Sequence, residues 1–157
     1  FKTKEDIIST LYLEVKLSLK STLIDPIQSL DLTNPDSVSG RDIEASFKTI
    51  WFGMVEWLLR HPTGFAFLAQ FSESAIINPD TRERVENAFK EWDNLFLVGQ
   101  SLSVFSSAPI DLLKSLGASH IFTCSSYLIE NPEKWQDEAI QNQLYLSGWR
   151  MLTCANN

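Results

Sequence analysis

The fold turns on residues 80–102, DTRERVENAFKEWDNLFLVGQSL. Val85, Ala88, Phe89, Trp92, Leu95, Phe96 and Gly99 recur three and four positions apart, while Arg82, Arg84, Glu86, Lys90 and Glu91 fill the positions between them. A backbone with 3.6 residues per turn sets the first group on one face and the second on the other. The stretch therefore predicts one amphipathic helix from Asp80 to about Leu102. Asn78-Pro79-Asp80 punctuates the chain just before it.

Towards the N-terminus the same period continues. Pro62 suits the first turn of a shorter helix, where a missing N–H costs nothing, and Phe65, Leu68, Ala69 and Phe71 mark its buried side. A preceding helix from Arg41 to about His61 carries Ile43, Phe47, Ile50, Trp51, Met54, Val55 and Leu58, with Trp57 and Leu59 widening the stripe. That breadth predicts a central position. His61 falls where it can satisfy the last carbonyls of this helix. Residues 26–40 form a polar connection, Thr33-Asn34-Pro35-Asp36-Ser37 with Ser39-Gly40 at its end. The first helix starts at Thr3, whose hydroxyl can cap free backbone N–H groups, with Asp6 in a capping-box position. Ile8, Leu11, Tyr12, Val15 and Leu19 give it one apolar stripe, and Asp25-Pro26 is expected to stop or kink it.

Towards the C-terminus, Ser106-Ser107-Ala108-Pro109 opens a helix that runs to about Glu130. Its wheel carries two apolar stripes. Leu113, Leu116, Gly117, His120, Cys124 and Tyr127 form one; Leu112, Phe122 and Ile129, beside small Ser119 and Ser126, form the other. Asn131-Pro132 ends it, and a last helix, about Glu133 to Thr153, carries Ile140, Leu144, Gly148, Met151 and Leu152 with Tyr145 and Trp149 flanking. The fold class is all-α, a bundle of about six helices in one domain spanning 1–157.

A helix that is apolar on two sides is packed on two sides. Either the chain's own loops cover the second stripe, or a second copy does. In the latter case the last two helices of each subunit make a four-helix dimer interface under a two-fold axis. The residues expected there are Leu112, Ser119, Phe122, Ser126 and Ile129 from one helix, and Tyr145, Gly148, Trp149 and Leu152 from the other.

Chemistry is signalled mostly by its absence. No G-x-S-x-G elbow, P-loop, dinucleotide fingerprint or zinc-type Cys/His spacing occurs, and two histidines cannot supply the paired Glu-x-x-His motifs of a di-iron bundle. The expectation is no enzyme, no metal and no cofactor. A net charge of −7, with 13 basic residues scattered along the chain, argues against DNA binding by these residues themselves. No apolar run is long enough for a bilayer. Two cysteines make no disulfide framework, which favours a reducing cytoplasm. The aromatic residues, 10 Phe, 5 Trp and 3 Tyr, serve either as a filled interior or as the lining of a cavity for an apolar or aromatic ligand; periodicity does not separate the two. His120, the one ionisable group on its stripe, is either a hydrogen-bonded core residue or a polar contact in such a cavity.

The first twelve residues carry a more specific signal. Phe1, then Lys4-Glu5-Asp6-Ile7-Ile8 and Leu11-Tyr12, resembles the junction in TetR-family transcriptional regulators where the helix-turn-helix head ends and the regulatory body begins. Arg60-His61-Pro62 with Phe65 to Leu68, and Ile110 to Leu113 with Gly117 and Gly148-Trp149-Arg150, resemble later helices of that family more loosely. The resemblance implies a homodimeric ligand-sensing body lacking its DNA-binding head, which contacts operator DNA only through that absent domain. It also implies a repressor whose small-molecule effector shifts the first helix. Under this reading Tyr12, Trp51, Met54, Phe67, Phe89, Trp92, Phe96, His120 and Cys124 line the effector pocket. The competing expectation is a helical dimerisation or protein-interaction module with a filled core and no ligand.

Overall fold

A computed structural model describes residues 3–154. Among the described residues the chain forms seven α-helices: α1 Lys4–Gln28, α2 Gly40–Arg60, α3 Pro62–Phe71, α4 Pro79–Ala88, α5 Lys90–Ser101, α6 Ile110–Glu130 and α7 Glu138–Leu152. Short 3-10 turns at Pro35–Ser37 and Pro132–Gln136 complete the regular structure. No described helix is long and apolar enough to cross a membrane.

Local chemistry sets the helix starts. Thr3 caps α1 with a full capping box: its Oγ1 accepts from the Asp6 amide while the Asp6 carboxylate accepts from the Thr3 amide. Ser39 and Asp42 build the same device at α2. Pro62 and Pro79 occupy first-turn positions of α3 and α4, and the Asn78 side chain accepts from the Thr81 amide. His61 closes α2, with its Nδ1 2.8 Å from the Trp57 carbonyl.

Three boundaries differ from the sequence expectation. Pro26 does not end α1, which continues to Gln28. The proline lies two residues from the end, where one missing hydrogen bond is cheap, and Ile24 and Ile27 on either side are almost completely buried. Their burial holds the last turn in place. The stretch 80–102 forms two helices instead of one, so the bundle has seven helices where about six were expected. Phe89, at φ −113° and ψ 23°, breaks the hydrogen-bond ladder between α4 and α5. The last helix begins at Glu138, capped by Asp137, after a 3-10 turn that presents Trp135 to the bundle.

The core falls into two clusters. The larger joins α2, α5, α6 and α7 around Phe47, Trp51, Leu58, Leu95, Phe96, Phe105, Leu113, Leu128 and Tyr145. The smaller joins α1 to α3 and the turn before α4 through Ile8, Tyr12, Leu19, Leu68 and Ile77. Half-buried Met54, Trp57 and Phe122 pack against both. The break at Phe89 serves this division: Val85 of α4 packs on the smaller cluster, and Leu95 and Phe96 of α5 enter the larger one.

After α5 the chain folds back tightly. The Val104 and Phe105 amides both donate to the Gly99 carbonyl, and Ser103 takes a left-handed φ of 57°. A Cβ on Gly99 would lie 2.3 Å from the Phe105 ring, so this approach requires glycine. The end of α7 is tied to the same loop. The Ser106 amide donates to the Leu152 carbonyl at 3.0 Å, and the Cys154 amide to that of Val104 at 3.1 Å.

Candidate functional site

The nine residues expected to line an interior ligand site are divided between the two clusters. Tyr12 is buried in the smaller one, where half-buried Phe67 also packs, its ring centroid 4.9 Å from that of Phe71. Trp51, Phe96 and Cys124 are buried in the larger cluster, with Phe89 and Trp92 half-buried against it. Met54 reaches both. No single lining is formed by all nine.

Around Phe47 the rings interlock. Its centroid lies 5.9 Å from Trp92, 6.4 Å from Phe96, 5.7 Å from Phe105 and 5.4 Å from Trp149. These are contact separations in stacked and edge-on geometries, so the rings fill this part of the interior themselves. Phe47 is the hub of the site region, a role that helical spacing alone did not distinguish from its neighbours. Phe105 lies in a loop, outside any periodic stripe, and had no sequence signal.

Trp51, His120 and Cys124 do come together, at the joint of α2, α6 and α7. The Trp51 indole N–H donates to His120 Nδ1 at 3.2 Å, and His120 Nε2 lies 2.8 Å from Ser147 Oγ. An indole nitrogen can only donate, so Nδ1 is the acceptor and a neutral ring carries its proton on Nε2, where it donates to Ser147. The Ser147 hydroxyl in turn donates a hydrogen bond to the Leu144 carbonyl. Burial lowers the His120 pKa below the ordinary imidazole value, and no charged neighbour contributes to the shift. Cys124 Sγ sits 3.6 Å from His120 Nε2 and 3.9 Å from Nδ1; burial pushes its thiol up to about 11, so it stays protonated and unreactive. The arrangement is a neutral hydrogen-bonded joint, without a nucleophile or an acid–base pair. Among the described residues no group of three or more His, Cys, Asp or Glu side chains is placed to hold a metal.

The expected dimer residues also separate. Leu112 and Ile129, 47% and 41% exposed, lie on the outer face of α6 with exposed Ser119 and Ser126. Phe122 is half-buried and stacks on Phe65 at 5.3 Å. On α7 the phase is turned: Tyr145, Gly148 and Leu152 are buried inside the subunit, and Trp149 leans on Phe47 and Phe105. Leu146, Ser147 and Met151 stand on the outer face instead. Gly148 faces inward because the His120 ring lies on it; a Cβ there would meet Nδ1 at 2.5 Å.

A separate open cleft of about 350 Å³ lies where the end of α2 meets the end of α6, lined by Leu59, Pro62, Leu128, Ile129, Pro132 and Trp135 among others. None of the nine expected ligand residues borders it.

With this geometry the chain can be set beside known structures. A crystal structure from Shewanella sp. PV-4, provisionally described as a TetR-family transcription regulator, superposes with a TM-score of 0.79. The match covers 98% of this chain and 77% of that one. The fold is TetR-like. At 23% sequence identity the likeness concerns the fold alone. No family model matches the sequence.

Proposed function

We propose that this chain is the effector-sensing and dimer-forming body of a TetR-type transcriptional regulator. In this reading it is a cytoplasmic homodimer that reaches operator DNA through a helix-turn-helix domain preceding it, and a small apolar or aromatic ligand releases repression. The observation that carries the reading is the superposition over 98% of the chain at a TM-score of 0.79. The outer face of α6 supports it further: Leu112, Ser119, Ser126 and Ile129 form a stripe of apolar and small side chains separate from the buried stripe of the same helix. We assign pairing to this face together with Leu146 and Met151 of α7.

We place sensing at the seam that Met54 spans between the two clusters, away from the interlocked rings around Phe47. α1 is the lever, because it contributes to both clusters and would join body to head. An effector that binds the DNA-incompetent arrangement better shifts the balance by its differential affinity, typically about 1–3 kcal/mol. Sedimentation velocity across a concentration series tests the reading. A dimer is expected, and a monomer at every concentration rejects it.

A second reading, a helical interaction module with a filled core and no ligand, is favoured by the ring packing around Phe47. A thermal-shift screen against apolar and aromatic metabolites separates the two. Saturation at 100 times the dissociation constant adds about 2.7 kcal/mol of stability.

A further inference from the structure

Lys16 is out of place on its helix. The inner stripe of α1 runs through Ile8, Tyr12 and Leu19, all buried, and Lys16 follows Tyr12 by one turn on that side. Its side chain is half-buried, and its ammonium lies 5.6 Å from the centre of the Tyr12 ring. No carboxylate among the described residues comes within ion-pair distance of it. Desolvation lowers its pKa; Glu73 opposes that effect, and Arg82 and Lys114 add to it. A charge held this way is costly unless something pairs with it.

The neighbouring groups narrow what that partner is. Arg82 is already committed, its guanidinium donating to the Ser72 and Ser74 carbonyls at the end of α3. Lys114 is paired with Asp93. Lys16 is thus an ammonium without an ion-pair partner among the described residues; the Glu73 and Arg82 charges near it act in opposite directions, so its single positive charge suits a monoanion and not a doubly charged phosphate. Beside Tyr12 the Ser72 hydroxyl is shut off from solvent without a well-formed hydrogen bond. The surroundings are otherwise apolar: Val15, Phe67 and Phe71 are half-buried against the same cluster as Tyr12.

We infer that Lys16 anchors a site for an amphipathic monocarboxylate, its carboxylate on the ammonium and its apolar body against the Tyr12 cluster. This deepens the sensing role proposed above and rests on it, since the ligand would grip the lever helix directly. It also moves the site away from Trp51 and Phe96, whose rings are packed against their neighbours.

The test compares acids with their neutral amides. The chain is labelled with 13C-lysine, the Lys16 signals are assigned with Lys16→Arg, and octanoate, 4-phenylbutyrate and the two amides are titrated in. The expected result is a saturable shift of the Lys16 Cε resonance with the acids alone, accompanied by a rise in Tm. Lys16→Met should weaken acid binding by about ten-fold, as loss of a charge-assisted hydrogen bond does, while Lys16→Arg retains most of it. Acids and amides acting alike, acid binding indifferent to Lys16→Met, or an unmoved Lys16 resonance with both acids would each overturn the inference. Sedimentation of the same samples keeps the two ideas apart: a dimer that binds no acid defeats this site alone, and a monomer defeats the regulator reading.

Discussion

His120 shows how one side chain can be fixed from three directions. Trp51 donates to one nitrogen, Ser147 accepts from the other, and Gly148 leaves room for the ring. Gly148→Ala would drive a methyl into the imidazole, and we expect a loss of about 1–3 kcal/mol in urea unfolding, the usual cost of overpacking a core. The same joint predicts a pH dependence. The folded-state pKa lies below the ordinary 6.5, so the unfolded chain takes up the proton first as the solution is acidified. The contribution of the neutral ring is complete above about pH 6.5 and is lost as the pH falls through the folded value. Thermal melts between pH 8 and 5 should show that decline, and His120→Gln should flatten it. The histidine was visible in the sequence as the lone ionisable group on its stripe. Its partners were not, because Trp51 and Ser147 are 69 and 27 residues away along the chain.

Helix starts were the most legible elements. The box at Thr3 and Asp6 was readable in the sequence because the partners stand three residues apart and need nothing from the tertiary fold. Ser39 and Asp42 repeat it at the head of α2, the most connected helix of the larger cluster. Ser39→Ala should cost about 1 kcal/mol, measured by chemical denaturation, since it removes the acceptor for an otherwise free amide of the first turn. Helix interruptions were less legible. The pattern of 80–102 is continuous through Phe89, yet the helix breaks there because its two halves serve different clusters. Pro26 reads as a stop or a kink; as a stop it is overridden, with Ile24 and Ile27 on either side buried and the helix running on to Gln28. Lys16 stands in the inner stripe of α1 as a polar intruder, a signal present in the spacing of Ile8, Tyr12 and Leu19 but meaningful only once its neighbours are known.

At the level of the assembled chain, the prediction concerns the outer face of α6 and α7. Leu112→Glu combined with Ile129→Glu places charge where a partner copy would bury it, on side chains that are 47% and 41% exposed in the subunit. Sedimentation should show a shift to monomer with the helical circular-dichroism signal retained; a dimer that survives both substitutions would place pairing elsewhere. Tyr145, Gly148 and Leu152 are poor targets for this purpose, because they are buried in the subunit and their loss would damage the fold itself.

The order of residues was enough to specify helices, most of their starts and the two-sided character of α6, because hydrophobic period and capping are properties of neighbours a few positions apart. It could not orient α7 or allocate the aromatic residues to one interior or two. Period gives the relative phase of side chains on one helix, and only contact with other helices gives the absolute phase. Here the His120 ring against Gly148 and the ring cluster around Phe47 set that phase. They turn Tyr145 and Leu152 inward, while the packing of α1 on the separate smaller cluster leaves Lys16 half-buried and without an ion pair among the described residues.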